Sequence, residues 1–249
     1  MNSRTKFDMY LAPPSRAACA ALADWMEVAI TDSADSGVPG GDFTVGQVCG
    51  ITLATAPVGR FHYLATPVID DSTVPAGHYN SVIITAQDGG IDNMAAFDPA
   101  RHRAVINEPG SFSGAITFAA HLRRTTGYQL AGHGAAAPVQ SGGHLASIGM
   151  VAAGTADLAA IDRVSFALAK AACPDDVAAV RVIDETAFYP GLPFVADGAL
   201  PPRAVEVIRD RLLAFRTQPA WQEMAGTLRL RDLIVLNATD YDVMATVGG

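Results

Sequence analysis

Residues 105–121 read V-I-N-E-P-G-S-F-S-G-A-I-T-F-A-A-H and combine three local patterns. An apolar run that ends at Ile106 predicts a strand, and the N-E-P-G that follows breaks it, because asparagine, proline and glycine favour turns. The apolar spacing then becomes helical, which predicts a helix over residues 113–125. The order strand, tight loop, helix places the hydroxyls of Ser111 and Ser113 at the start of that helix.

These two serines, in what we name the first serine turn (residues 111–114), allow two interpretations. The first backbone N–H groups of a helix have no partner within the helix, and that end carries partial positive charge. A serine at this place can cap the helix with its own oxygen. Alternatively, the N–H groups and hydroxyls can bind an anion. The sequence alone leaves both roles open.

A second turn of the same kind follows at S-G-G-H, which we name the second serine turn (residues 141–144). It precedes a helical pattern that extends to Gly154. The next residues, T-A-D-L-A-A-I-D, predict a short buried strand over 156–161 that ends in a carboxylate, Asp162. Two helix starts rich in serine and glycine, one of them with His144, suggest a small-molecule site built from backbone donors.

Composition narrows the class of protein. The chain has 249 residues, 50% of them apolar and only 17% charged, which is typical of a folded globular protein with a large core. The net charge is −8 and the sequence has no cluster of lysine and arginine. Nucleic acid is therefore not an expected partner. Because an acidic surface repels anions at long range, any anion site must act locally.

The three cysteines, Cys19, Cys49 and Cys173, are too few and too far apart for a disulfide framework or a zinc site, so we expect no metal and no cofactor. The N-terminus has no apolar stretch typical of a secretory signal, and no run approaches the length of a membrane-spanning helix. We therefore expect no membrane insertion, and a cytoplasmic location for the chain as given. A periplasmic location is expected if a signal was trimmed.

Strands and helices alternate along most of the chain. This alternation predicts the α/β class with mostly parallel sheets. In such sheets, ligands bind beyond the carboxyl ends of the strands, where helices begin. Both serine turns are expected at that edge.

Four motifs in order resemble one family, the substrate-binding proteins of phosphate- and phosphonate-type ABC transporters. N-E-P-G-S-F-S-G is similar to that family's N-D-P-x-S-x-S-G, and the segment from Ser141 to Asp162 resembles its second-lobe motif. G-Q-V-C-G-I-T-L is similar to the Q-T-C-G-Y segment of one soluble branch, and P-G-L-P-F-V to the crossing segment. The resemblance covers about Tyr10 to Phe215.

The resemblance implies a two-lobed type II periplasmic-binding fold, in which each lobe is a mostly parallel sheet flanked by helices. Lobe I is expected to comprise residues 1–90 and 193–249, and lobe II residues 91–192. In this family the lobes close on a ligand held in the cleft between them. The implied ligand is a small oxyanion such as a phosphonate or phosphate, and the implied partner is an ABC transporter permease.

Carried over to this sequence, the family pattern implies a set of ligand contacts from both lobes. The contacts expected from lobe II are Ser111, Ser113, Gly114 and His144, with Asp162 as a further candidate. The contacts expected from lobe I are Tyr10, Gln47, Cys49 and Ser81. Asp162 can equally cap the next helix.

The sequence is compatible with two main functions, and with a regulatory ligand-binding domain as a third. The first is a binding protein, serving an ABC transporter or a sensing step, without chemistry. The second is an enzyme on the same fold that uses Cys49 or His144 on a small metabolite, because one fold hosts both kinds of function. A buried cysteine usually packs as a small apolar residue, but one beside a histidine can be a nucleophile. The binding protein is the favoured prediction.

Overall fold

The computed structural model describes residues 5–10, 15–32, 44–130 and 138–247. The chain forms two compact units. Unit 1 comprises Met1–His78 and Tyr189–Ala245, and unit 2 comprises Tyr79–Phe188 and Thr246–Gly249.

The described residues form strands and helices in an alternating order. The strands are β1 (Thr5–Lys6), β2 (Val45–Gln47), β3 (Phe61–Ile69), β4 (His78–Tyr79), β5 (Ser81–Ala86), β6 (Ala104–Ile106), β7 (Val139–Gln140), β8 (Leu158–Asp162), β9 (Val180–Glu185), β10 (Tyr189–Pro190), β11 (Phe194–Asp197) and β12 (Leu230–Ile234). The α-helices are α1 (Arg16–Asp32), α2 (Gly50–Thr55), α3 (Thr117–Thr126), α4 (His144–Ala152), α5 (Arg163–Ala172), α6 (Pro174–Ala178), α7 (Pro202–Ala214), α8 (Pro219–Leu228) and α9 (Asp242–Thr246). A π turn (Phe112–Ile116) precedes α3.

Unit 1 is built on a sheet of order β1-β2-β11-β3-β12. Its longest strand, β3, is buried along most of its length, as expected for a strand covered on both faces. Helix α1 packs on α7 and α8. Its residues Ala18, Leu22 and Met26 recur every four positions and are buried, so one face of α1 lies in the core.

Unit 2 is built on a sheet of order β7-β6-β8-β5-β9, and its two faces carry separate apolar clusters. Side chains alternate between the faces of a strand. On β5, Ile83 therefore joins the cluster that contains Phe118 of α3, whereas Ile84 joins the cluster that contains Ile148 of α4. Helices α3 and α4, which pack on opposite faces, begin at the serine turns, so the packing of the core determines where those turns lie.

The α/β class is as predicted, but the sheets are mixed and not mostly parallel. Ladders β1–β2, β6–β7 and β6–β8 are parallel, and the ladders made by β5, β11 and β12 are antiparallel. Strands joined through helices do run in the same direction, as for β8 and β9 or β11 and β12. However, β5 lies between β8 and β9 and runs antiparallel to both. In the same way, β3 lies between β11 and β12 and runs antiparallel to both.

Both boundaries between the units come earlier in the chain than the predicted boundaries, which followed residues 90 and 192. The chain leaves unit 1 after His78 and returns at Tyr189. The difference arises because β5 is an inner strand of the unit 2 sheet, paired with β8 and β9. Those partners come much later in the chain, so local sequence does not reveal that β5 belongs with them. Within the described ranges, no helix is long and apolar enough to cross a membrane.

Candidate functional site

The first serine turn forms the start of a helix, as predicted, but through a π turn. The carbonyl of Ser111 accepts the N–H groups of both Ala115 and Ile116, at 3.1 and 3.0 Å. The hydroxyl of Ser111 accepts the N–H of Gly114 at 3.1 Å, so this serine is the helix cap. The wide turn that results is a feature often found at functional sites.

Gly114 allows a close approach between the π turn and the loop before it. A Cβ placed on Gly114 would lie 2.1 Å from the Oδ1 atom of Asn107 and 2.6 Å from its Cγ atom. The Asn107 side chain therefore occupies the space that any larger residue at 114 would need. Its Oδ1 atom is buried and accepts no hydrogen bond from the described residues.

Replacing Gly114 with alanine is expected to destabilise the protein by about 1–3 kcal/mol, the usual cost of overpacking. Asn107 has to turn away from the added methyl group, which also disturbs the first serine turn. Urea unfolding measures the loss. Gly110→Ala is the matched control, because a Cβ at Gly110 meets nothing within 4 Å. Equal stability of the two variants would contradict the predicted clash.

The second serine turn is held to the loop after β6 by backbone and side-chain hydrogen bonds. The N–H of Gly142 donates to the carbonyl of Asn107 at 2.8 Å, and Gly142 has a φ of +85°, which favours glycine. The hydroxyl of Ser141 is 2.7 Å from that of Ser147 and also contacts the carbonyls of Ile106 and Gly143. Asn107 therefore contacts both serine turns.

His144 joins the two helix starts. It is the first residue of α4, and its Nε2 atom lies 3.0 Å from the hydroxyl oxygen of Ser113. Burial lowers the pKa of the imidazole to about 4, and the carbonyl of Ala160 opposes this shift. The ring is therefore neutral near pH 7. Its Nδ1 atom is buried and has no hydrogen-bond partner among the described residues.

The backbone of Ser113 is braced by two further hydroxyls. Its carbonyl accepts hydrogen bonds from Ser81 at 2.9 Å and from Thr117 at 3.1 Å. Ser81 is buried on β5 and therefore belongs to unit 2, not to lobe I as predicted. The donated proton of Ser81 is already used by a carbonyl, so this residue positions the first serine turn.

Asp162 serves as the cap of α5. It is buried at the end of β8, opposite Ser81, and it accepts the N–H of Ser165 at 2.8 Å. Of the two roles left open for this carboxylate, the structure shows the capping role. The nearby Arg163 guanidinium pairs with Asn80 and Glu185.

The remaining predicted contacts lie in unit 1. Gln47 is buried on β2 and donates to the carbonyl of Leu192 at 3.1 Å. Cys49 is the residue before α2, and its carbonyl accepts the N–H groups that begin that helix. Tyr10 is partly buried, and its carbonyl accepts the hydroxyl of Ser15. The side-chain hydrogen bond of Gln47 therefore lies within unit 1.

An apolar cavity of about 490 Å³ lies elsewhere in unit 2, along α3. Its walls include Ile106, Ala115, Ile116 and Leu130. Neither Ser113 nor His144 lines this cavity. Arg123, Gln129 and Gln140 also line it, but most of its walls are apolar, so the two helix starts remain the candidate site for an oxyanion.

Sequence reasoning missed two residues at this site. Asn107 was identified only as a residue that breaks the strand, yet it links both serine turns. Ser141 was identified only as part of a turn motif, whereas in the structure its hydroxyl contacts the carbonyls of Ile106 and Gly143 and the hydroxyl of Ser147. The position of Asn107, between a strand and a serine turn, is the signal that could have identified it. Its partner Gly142 is distant in sequence, so the contact itself could not be predicted.

The fold is that of two-lobed periplasmic binding proteins, as comparison with solved structures shows. A binding protein component of an ABC phosphonate transporter from Pseudomonas aeruginosa is 13% identical, with a TM-score of 0.75, and the match covers 95% of this chain and 82% of that one. PhnD1 from Prochlorococcus marinus, in complex with methylphosphonate, is 14% identical, with a TM-score of 0.72 and coverage of 98% and 96%. XAC2383 from Xanthomonas citri, bound to chloride, is 15% identical, with a TM-score of 0.67 and coverage of 98% and 95%.

The sequence itself matches a family. The model of the family described as "ABC transporter, phosphonate, periplasmic substrate-binding protein" matches residues 41–241, and the chain belongs to this family. Among curated proteins, none matches the sequence. The predicted family and the predicted class of function, a substrate-binding protein, are confirmed.

Proposed function

We propose that unit 2 binds a small oxyanion where the π turn and α4 begin, and that the protein delivers it to an ABC transporter permease. The observation that carries this proposal is the 3.0 Å contact between Ser113 and His144, which joins the two helix starts. Each start contributes N–H groups and partial positive charge. Together they offer an anion two sets of donors at one place.

The proposed ligand is a phosphonate, a phosphate or a related oxyanion. Support comes from the family and from PhnD1, which was solved with methylphosphonate. The family description also supports a periplasmic location. Within the site, Ser111 and Gly114 shape the turn, while Ser113 and His144 are the side chains proposed to face the ligand. Tyr10, Gln47 and Cys49 remain predicted contacts from unit 1.

Ser113→Ala is expected to weaken binding of methylphosphonate by ten- to a hundred-fold, because a hydrogen bond to a charged group contributes about 1.5–3 kcal/mol. Titration calorimetry measures the affinity of the variant and of the wild type. Ser165→Ala is the matched control, since the Ser165 hydroxyl makes no hydrogen bond within the described residues and the residue lies at a different helix start. Unchanged affinity in Ser113→Ala would rule out this site.

We further propose that the protein releases its ligand unchanged. The family is one of transport proteins, which supports binding without turnover. The enzyme alternative requires Cys49 or His144 to act on the ligand, whereas the Nε2 atom of His144 is hydrogen-bonded to Ser113, a side chain that this proposal assigns to ligand binding. Mass spectrometry of methylphosphonate after prolonged incubation with the protein decides between the two. Appearance of a product would support the enzyme.

A further inference from the structure

The apolar cavity along α3 is a second place in unit 2 where a small molecule can bind. Its volume of about 490 Å³ lies within the range of about 300–1,000 Å³ that is usual for ligand sites. All the residues that line it belong to unit 2. The proposed oxyanion site uses none of its space, so the cavity calls for an occupant of its own.

One face of α3 forms a long wall of the cavity. The residues on this face follow the helical spacing i, i+3, i+4 and i+7, and they are Ile116, Ala119, Ala120 and Arg123. At 1.5 Å per residue, the distance from the first to the last is about 10 Å along the helix axis. The two alanines in the middle have short side chains, which leaves room for an elongated molecule of several carbon atoms.

The inner wall of the cavity is part of the core. Ile106 and Ala115 line the cavity, and both are buried in the cluster that contains Phe118. Ile106 is also held in the sheet, because β6 pairs with β7 and β8. This wall is therefore formed before any ligand arrives. A preformed apolar wall binds an apolar group without the cost of ordering protein side chains.

The polar side chains of the cavity are donors that suit a carboxylate. Arg123, Gln129 and Gln140 contribute a guanidinium and two carboxamides, and within the described part of the chain no acidic side chain lines the cavity. This is a local exception in a protein with a net charge of −8. A guanidinium has five N–H donors in a planar fork, so Arg123 can bind a carboxylate alongside its contacts within the protein.

We propose that this cavity binds a small monocarboxylate with an apolar body of several carbon atoms, such as a medium-chain fatty acid. The hydrocarbon part lies along the apolar walls, and the carboxylate lies beside Arg123. An inorganic oxyanion has no apolar part to contact these walls and is not the expected ligand. The inference goes beyond the proposed function and does not depend on it, since it requires no ligand at the serine turns.

Octanoate is the probe, and titration calorimetry of the wild type is the first test. For a ligand of about ten non-hydrogen atoms, we expect a single site with a dissociation constant on the order of 0.1–1 mM. Saturating methylphosphonate is not expected to displace it, because the two sites are separate. Absence of saturable binding at concentrations tenfold above this range would overturn the proposal, and so would complete displacement by methylphosphonate.

Ala120→Leu fills the middle of the cavity and is expected to raise the dissociation constant of octanoate at least tenfold. Each methylene group kept out of an apolar site lowers affinity about fourfold, and the added side chain excludes several. Ala171→Leu is the matched control, because Ala171 is exposed on α5 and does not line the cavity. Thermal unfolding checks that both variants are folded. Equal octanoate affinity in the two variants would contradict the proposed place of binding.

Arg123→Gln tests the carboxylate separately from the apolar body. Because Arg123 is exposed, its charge is screened by water, and the dissociation constant of octanoate is expected to rise only about two- to fivefold. The dissociation constant of 1-octanol, which has a similar body and no charge, is expected to stay the same. An unchanged affinity for octanoate, or an equal loss for both probes, would overturn the carboxylate as the ligand class.

Methyl NMR of the wild type locates the probe without any variant. The isoleucine methyl groups of Ile106 and Ile116 line the cavity, whereas Ile148 lies in the cluster on the opposite face of the sheet. Octanoate is expected to shift the resonances of the first two with the same dissociation constant as in calorimetry, and to leave that of Ile148 unchanged. Saturable binding without a shift of Ile106 or Ile116 would overturn the proposal, even if Ala120→Leu fails to fold.

Discussion

Gly198→Ala is expected to lower the free energy of unfolding by about 3 kcal/mol or more, the upper part of the range for overpacking. A Cβ at Gly198 would lie 1.6 Å from the carbonyl oxygen of Gly59 and 2.8 Å from the carbonyl carbon of Arg60. These are backbone atoms of a tight turn, so no side chain can move aside. The N–H of Gly198 also donates to the carbonyl of Arg60 at 3.0 Å, which holds the two segments together.

Thermal unfolding measures this effect, with an expected fall in Tm of roughly 6–12 °C for a chain of this size. Gly226→Ala is the matched control. Gly226 is exposed on α8, and a Cβ there meets nothing within 4 Å. This control is expected to raise stability by about 0.5–1 kcal/mol, because alanine is preferred over glycine within a helix. A Gly198→Ala protein as stable as the wild type would show that the two segments can separate at little cost.

The second large effect is a loss of stability in acid that depends on His144. In the unfolded chain a histidine has a pKa near 6.5, and in the folded protein burial lowers the pKa of His144 to about 4. Between these values the unfolded chain binds a proton that the folded protein does not. Stability therefore falls as the pH decreases from about 6.5 to about 4, by about 3 kcal/mol in total.

Urea unfolding at about pH 7 and about pH 4.5, without ligand, tests this prediction. His144→Gln lacks the titrating group, so the wild type is expected to lose roughly 2–3 kcal/mol more than the variant between these conditions. All other carboxylates and histidines are common to both proteins, which makes the comparison specific. Parallel losses in the two proteins would mean that His144 can be protonated in the folded state without cost.

The core of the candidate site was predictable because its signals are local. A turn sequence between an apolar strand and a helical pattern places Ser111, Ser113 and Gly114 at a helix start, and the structure has them there. The same holds for His144 at the start of α4. Caps and helix starts depend on residues within about one helical turn of each other, so they can be recognised without knowing the rest of the fold.

Contacts between distant segments could not be predicted in the same way. Ser81 was expected in lobe I, but it lies in unit 2, where its hydroxyl donates to the carbonyl of Ser113. Its position could not be predicted, because the strands that pair with β5 come late in the chain. Asn107 contacts both serine turns, and its partner Gly142 lies far along the chain from it. Asp162 was compatible with two roles, and the position of the Ser165 N–H settles that it caps α5.

Local sequence therefore determines the α/β class and the two serine turns, since strand, turn and helix signals act over a few residues. Four ordered motifs were enough to predict the family. Tertiary structure alone decides that β5 runs antiparallel between β8 and β9 and that His144 meets Ser113. The burial that keeps the imidazole neutral is likewise a property of the packed unit. Strand order and burial arise from long-range packing, and no short segment carries that information.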